Sequence, residues 1–190
     1  MRKIVVAEFI SVDGVVEAPD QWHFPYQNEE MFEAMWAMNA ETDTMLLGRV
    51  TYQSFAGAFA HAPADDPVAA QMNKPAKVVV SKTLGDLEWR NSTLLAGEVV
   101  AGVTELKQRP GGTIAVIGST MLARTLLRAG LVDELHLLVH PIVVGRGQRL
   151  FEDEGVQVPL ALARCGTFST GVVHAIYVSS GRSPAAGADR

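Results

Sequence analysis

The sequence predicts an α/β protein: a mostly parallel central sheet with helices on both faces and an antiparallel strand at the C-terminal edge. Three observations carry that expectation. Short apolar runs alternate with helical patterns along most of the chain, which is the pattern of βαβ units. Most of the runs are too continuously apolar to keep one face in water, so they read as inner strands covered on both sides. From "DELHLLVHPIVV" onward the alternation stops, and strand follows strand with no helix between.

The first run, Ile4–Ile10, follows "MRK"; Glu8 interrupts it and no small-residue cleavage site follows, so it reads as a strand rather than a leader. A helical pattern covers Glu29–Glu41 behind Asn28, a natural N-cap. Within it Met31, Phe32, Met35, Trp36 and Met38 have helical spacing and predict a core-facing stripe. Thr44–Leu47 is the second strand; it stops at Gly48, and a helix opens at Arg49. Asp66-Pro67 fits a cap followed by proline at the first helical position. Lys77–Val80 is a strand, and Glu98–Gln108 a helix with acid near its start and Lys107 near its end. Thr113–Ile117 is a strand leading to a helix over Ser119–Ala129, which Gly130 stops. Leu135–Val139 and Val172–Val178 complete the strands. Residues 1–180 read as one domain, and the small, polar 181–190 as a disordered tail.

A chain of 190 residues buries roughly 70% of its unfolded surface and needs no staples. Its 48% apolar and 19% charged residues fit a globular core. A net charge of −5 argues against a nucleic-acid partner. The single cysteine, Cys165, makes no internal disulfide and supplies no Cys-rich zinc site, which favours the cytoplasm. No run approaches the length of a membrane span, so a membrane partner is not expected.

Three strand-to-helix or strand-to-loop junctions carry phosphate-compatible residues: Gly48-Arg49-Val50-Thr51, Ser81-Lys82-Thr83 and Gly118-Ser119-Thr120. Any one of them is also ordinary turn chemistry. Together they would emerge on one rim of a parallel sheet, outside the carboxyl ends of the strands, where open α/β sheets bind ligands. Free helix N–H groups with Arg49 and Lys82 there suit a ligand with several phosphates, and an extra phosphate would favour NADPH over NADH.

The segments "LLGRVTYQSF", "VVVSKTL", "IAVIGSTMLARTLL" and "GLVDELHLLVHPIVVGRGQRLF", in that order behind "ISVDGVV", resemble the dihydrofolate reductase-like superfamily. More closely they resemble the C-terminal reductase domain of the riboflavin-pathway enzyme RibD and its stand-alone relatives, from about Lys3 to Val178. The resemblance implies a three-layer fold and an NADPH-dependent oxidoreductase acting on a small heterocycle. Its substrate would be of pteridine type or like 5-amino-6-(5-phosphoribosylamino)uracil. Gly48, Arg49 and Thr51 would hold cofactor phosphates, Ser81, Lys82 and Thr83 would surround the adenosine phosphate, and Gly118, Ser119 and Thr120 would wrap the pyrophosphate. Asp13 of "SVDG" matches an aspartate that would face substrate; its other reading is a turn aspartate before Gly14. Trp22 and His23 lie where the family places a substrate lid. The resemblance also implies a cytoplasmic homodimer, for which the C-terminal strand edge offers a route.

Two departures matter. Dihydrofolate reductases carry an acid two residues after a proline, where "FPYQNEEMF" has Gln27, so dihydrofolate is not the expected substrate. The zinc deaminase signature of bifunctional riboflavin enzymes is missing, so a second activity is not expected. The alternative reading is a non-catalytic nucleotide-binding or regulatory module, which the vacant acid position favours. Glu29 and Glu30 read as partners of the helix dipole, and Arg146 and Arg149 as substrate-phosphate candidates or solvated loop residues. His136 and His140 do not make a metal pair, since on a strand they stand about 13 Å apart. No metal is expected.

Overall fold

The computed structural model describes residues 1–63, 65–151 and 157–180, so the expected tail lies outside the described residues. The strands are β1 (Ile4–Ser11), β2 (Thr42–Gly48), β3 (Ala76–Val80), β4 (Ser92–Leu94), β5 (Thr113–Ile117), β6 (Glu134–His140), β7 (Leu160–Thr167) and β8 (Val173–Ser179). They form one sheet in the order β4-β3-β2-β5-β1-β6-β8-β7. Pairing is parallel from β4 to β6, and β8 runs antiparallel to both β6 and β7.

The change of direction has a local cause. A parallel crossover needs a helix's length of chain, whereas β7 and β8 are joined by the short turn at Phe168–Val172, where Gly171 takes φ 85° and its N–H bonds to the Phe168 carbonyl. The antiparallel edge is therefore as expected. The expectation had included neither the three-residue β4 nor β7, whose eight residues lie outside β8 and are mostly exposed.

The helices are α1 (Glu29–Asn39), α2 (Arg49–Phe59), α3 (Pro67–Asn73), α4 (Val99–Gln108) and α5 (Thr120–Arg128). Alternate residues of each inner strand feed opposite layers. Ile4, Val6, Leu46, Val116 and Leu135 pack beneath α4 and α5, while Met45, Leu47 and Val79 pack on the other face with Tyr52 of α2 and with Trp89. Fully burying such an aliphatic side chain contributes about 1.5–3 kcal/mol, which is why these runs show no polar alternation. On that second face α1 covers Leu138 and Val172 through Met31 and Met35.

The expected methionine and aromatic stripe of α1 is only partly realised. Met31 is buried, Met35 packs beside it, but Trp36 is 45% exposed. Helical spacing sets which residues share a side of α1, but only Met31 and Met35 of that side pack against the Leu138 and Val172 cluster. Asn28 caps α1 by accepting the Met31 N–H at 3.0 Å, and Asp66 caps α3 through the N–H groups of Val68 and Ala69. Buried charge is also tied down. Lys77 donates to the Asn73 carbonyl at 3.0 Å and lies 4.3 Å over the Trp89 ring; burial, and then Arg90, lower its pKa to about 8.

Candidate active site

The carboxyl ends of β2, β3 and β5 share one rim, because Gly48 pairs with Val80 and Met45 with Ala115 across β2. The Gly48 N–H donates to Ser119 Oγ at 2.9 Å, joining the starts of α2 and α5. Gly118 takes φ 72°, and a Cβ there would stand 3.5 Å from Thr51 Cγ2. Two of the three expected junctions therefore meet. The third follows directly: Ser81 continues β3 beyond Val80, and its hydroxyl oxygen accepts the N–H groups of Thr83 and Leu84 at 3.1 and 3.0 Å. That turn leaves Lys82 and Thr83 exposed on the rim.

The helix starts differ in a way that bears on charge. α1, α3 and α4 are each closed by a side-chain oxygen, from Asn28, Asp66 and Glu98. α2 and α5 carry no side-chain cap and no acid in their first turn. Their first N–H groups and the positive ends of their dipoles face the rim, an arrangement that suits an anion. Arg49, in the first turn of α2, lies along that helix and donates to Gln53 Oε1 at 3.0 Å.

Asp13 was expected to face substrate. Its carboxylate turns instead to the loop after β6, where it accepts the Val144 and Gly145 N–H groups at 3.0 and 2.9 Å and the Ser11 hydroxyl at 2.6 Å. The Ser11 hydroxyl, then those two N–H groups, hold its pKa down to about 2. Arg149 donates to the Asp13 carbonyl and lies 3.8 Å from the carboxylate. The local turn reading of Asp13 did not anticipate these long-range contacts, and Arg149 belongs to the same fastening. Glu30 is equally engaged, accepting from the Ser169 N–H at 2.6 Å, the Ser169 hydroxyl at 2.8 Å and Asn28 Nδ2 at 2.8 Å.

Trp22 and His23 pack inward against Phe9 and His140, near the carboxyl ends of β1 and β6. His23 stacks between Phe9 and Phe24, with ring centroids 4.7 and 4.3 Å away, and Trp22 and Tyr26 meet His140 edge-on at 5.3 and 5.8 Å. His140 Nδ1 lies 2.8 Å from the Leu138 carbonyl, which assigns the proton to Nδ1 and leaves Nε2 an acceptor. That Nε2 and His23 Nδ1 are buried with no hydrogen-bond partner among the described residues. Burial lowers the pKa of both rings. His136, the other member of the HLLVH pair, bonds to His174 at 3.1 Å instead. No cluster of three or more His, Cys, Asp or Glu side chains fit for a metal occurs among the described residues.

Glu8, read in the sequence only as the charge that interrupts the first apolar run, was not weighed there as a site residue. It is 3% exposed in β1, its Oε1 has no partner, and burial raises its pKa well above the usual carboxyl value. The signal was present, as the one acid inside an apolar strand, but only register places it beside Leu137 in the sheet.

Comparison with known proteins agrees with this architecture. Among solved structures, a putative riboflavin biosynthesis protein from Shewanella sp. PV-4 superposes with a TM-score of 0.75 at 17% identity, covering 93% of this chain and 98% of the other. A pyrimidine reductase-like protein from Corynebacterium diphtheriae gives a TM-score of 0.65 at 14% identity, covering 93% and 91%. At these identities the likeness is one of fold. Two uncharacterized proteins of Bacillus subtilis (strain 168) are similar along nearly their whole length. YyaP is 27% identical, covering 93% of this chain and 94% of its own; YwjB is 24% identical, covering 90% and 95%. Residues 2–174 match the RibD C-terminal domain family, a span that holds the whole rim from Gly48 to Thr120 together with β1 and its following loop. This chain belongs to the RibD C-terminal domain family.

Proposed function

We propose that the protein is an NADPH-dependent reductase that passes hydride to a small heterocyclic substrate of pteridine or ribosylaminopyrimidine type. Family membership supports a reductase-type activity. The observation that carries the cofactor is the meeting of two uncapped helix starts at the Gly48–Ser119 contact, beside a glycine in the left-handed conformation. In this reading the start of α5 at Thr120 and the start of α2 with Thr51 take the pyrophosphate, while Gly48, Gly118 and Ser119, whose N–H groups bond to Ser119 Oγ and to the Ala7 and Ile117 carbonyls, shape the turns that hold it. Arg49 leaves Gln53 to join Ser81, Lys82 and Thr83 on the additional phosphate that distinguishes NADPH from NADH. Bound there, the nicotinamide supplies the hydride.

The protein's own contribution is to orient and enclose. Asp13, ionised and saturated with donors, fastens the loop after β1 to the loop after β6; it positions the substrate side rather than giving up a proton. The same holds for Glu30, so the proton that accompanies hydride comes from water. The engaged carboxylates and Gln27 favour the second reading, a nucleotide-binding module without turnover. Cytoplasmic residence, a place in riboflavin biosynthesis and a homodimer built on the β7 edge belong to the same proposal. Among the described residues no helix is long and apolar enough to cross a membrane.

Titration with NADPH and NADH tests it. NADPH is expected to bind about tenfold or more tightly, with Arg49→Ala and Lys82→Ala each removing much of that preference, as loss of a charge-assisted bond of about 1.5–3 kcal/mol requires. Equal affinity for both cofactors would overturn the assignment of Arg49 and Lys82. Binding without oxidation of NADPH across a pteridine and aminopyrimidine panel would replace the reductase with the module.

A further inference from the structure

Glu8 is the one acid inside β1, and the strand register fixes where it stands. Ala7 pairs with Ile117, and the Gly118 N–H reaches the Ala7 carbonyl at 3.5 Å, so Glu8 is level with Gly118, one strand spacing of about 4.8 Å away. Val6 and Ile10, two positions to either side, pack on the α5 face of the sheet, Val6 with Leu122 and Ala123 and Ile10 with Leu137 and Leu150. Side chains alternate along a strand, so Glu8 shares that face and lies beneath the first turn of α5, one of the two helix starts without a side-chain cap.

The charged groups around it are engaged elsewhere or lie in solvent. Glu8 is 3% exposed, and its Oε1 has no hydrogen-bond partner among the described residues. β5 has no titratable side chain, and those of β6, Glu134, His136 and His140, alternate onto the α1 face. From α5, Arg124 donates to the Leu150 carbonyl at 2.8 Å and to the Arg149 carbonyl, while Arg128 stands at the far end of that helix. From α4, Lys107 is held by Asp133 and by the Leu131 carbonyl. Arg146 and Arg149, in the loop after β6, are exposed, and Glu17, in the loop after β1, accepts the Gln148 N–H at 2.7 Å. A carboxyl in such a place costs less neutral than ionised, and burial raises the pKa of Glu8 accordingly.

We propose that Glu8 is a positioning residue for the cofactor: held neutral beneath α5, it leaves the first turn of that helix positive for the pyrophosphate, and pyrophosphate binding is coupled to a proton on Glu8. An ionised Glu8 would set a negative charge one strand away from the anion, through protein rather than water, and would itself occupy the positive end of the helix. Below the folded pKa of Glu8 the carboxyl is already neutral, and the anion binds at full strength. Above it, binding takes up a proton from the buffer, so affinity falls as pH rises until the pKa of the complex is passed. Glu8 acts through the charge at the start of α5, without touching substrate or cofactor. The inference rests on reading the rim as a pyrophosphate site.

The probe is adenosine diphosphate ribose, whose pyrophosphate diester keeps one charge state from pH 5 to pH 9. Calorimetry in two buffers of different ionisation heat reads affinity and proton uptake together. The wild type is expected to lose affinity by up to about tenfold per pH unit above the folded pKa, taking up as much as one proton per site. Glu8→Gln, neutral at every pH, is expected to bind as the wild type does at low pH, without that slope or that uptake. Glu8→Met, also neutral, is expected to behave alike, with thermal melts showing both variants folded. A purely structural role would instead weaken binding in the variants at every pH and leave the slope in place. A flat wild-type affinity, or a slope and uptake that persist in both variants, would overturn the coupling and leave the rim a pyrophosphate site. No binding of the probe by any of the three proteins at any pH would overturn the site and the coupling with it.

Discussion

Single residues divide here into those whose polar atoms are satisfied and those left waiting. Asp13 and Glu30 were visible in the sequence as acids near a turn and a helix start, yet their partners, Val144 and Ser169, lie more than a hundred positions away. No local pattern could have revealed those bonds. Glu8 gives the opposite case. Its pKa is raised by burial, so the folded state holds a proton that the unfolded chain releases near the ordinary carboxyl value of 4.5. Stability contributed by neutral Glu8 is present below that value and lost as pH rises through the folded pKa, by at most about 1.4 kcal/mol per pH unit. Glu8→Gln is expected to lack this slope, so that urea unfolding from pH 5 to pH 8 shows the variant gaining on the wild type. Parallel stability curves would refute the assignment.

Elements were legible where their chemistry was local. The cap at Asn28, the Asp66-Pro67 start, the stop at Gly130 and the strand-glycine-helix junctions each sit within a few residues, and the structure places every one of them at an element boundary. β7 escaped because an edge strand with most of its residues exposed has no buried face to impose alternation. The junction glycines can be separated by substitution. Gly118→Ala places a side chain at φ 72° with ordinary contact to Thr51, so strain alone is expected to cost about 1–2 kcal/mol. Gly57→Ala, inside α2 with nothing within 4 Å, is expected to stabilise by about 0.5–1 kcal/mol. Denaturant midpoints moving in the same direction for both variants would contradict this account, and NADPH titration should show weakening only in Gly118→Ala.

At the scale of the whole molecule the sheet has two unequal ends. β4 offers three residues, whereas β7 offers eight, with Leu162 53% exposed, and its outer edge is unpaired among the described residues, an edge of the kind that sheets pair or protect. A homodimer built on β7 is expected to fall apart in Leu162→Lys, seen as a halving of mass by light scattering; an unchanged mass would place any pairing elsewhere. The bond from the Gly48 N–H to Ser119 Oγ spans 71 positions and ties two crossovers into one ledge. It also sets terms for any visitor. The donor is never thirsty, because a hydroxyl already occupies it; a neutral carbonyl arriving there would exchange like for like and gain nothing. An ionised oxygen forms a bond roughly twice as strong, so the ledge screens its guests by charge before it meets the rest of their shape.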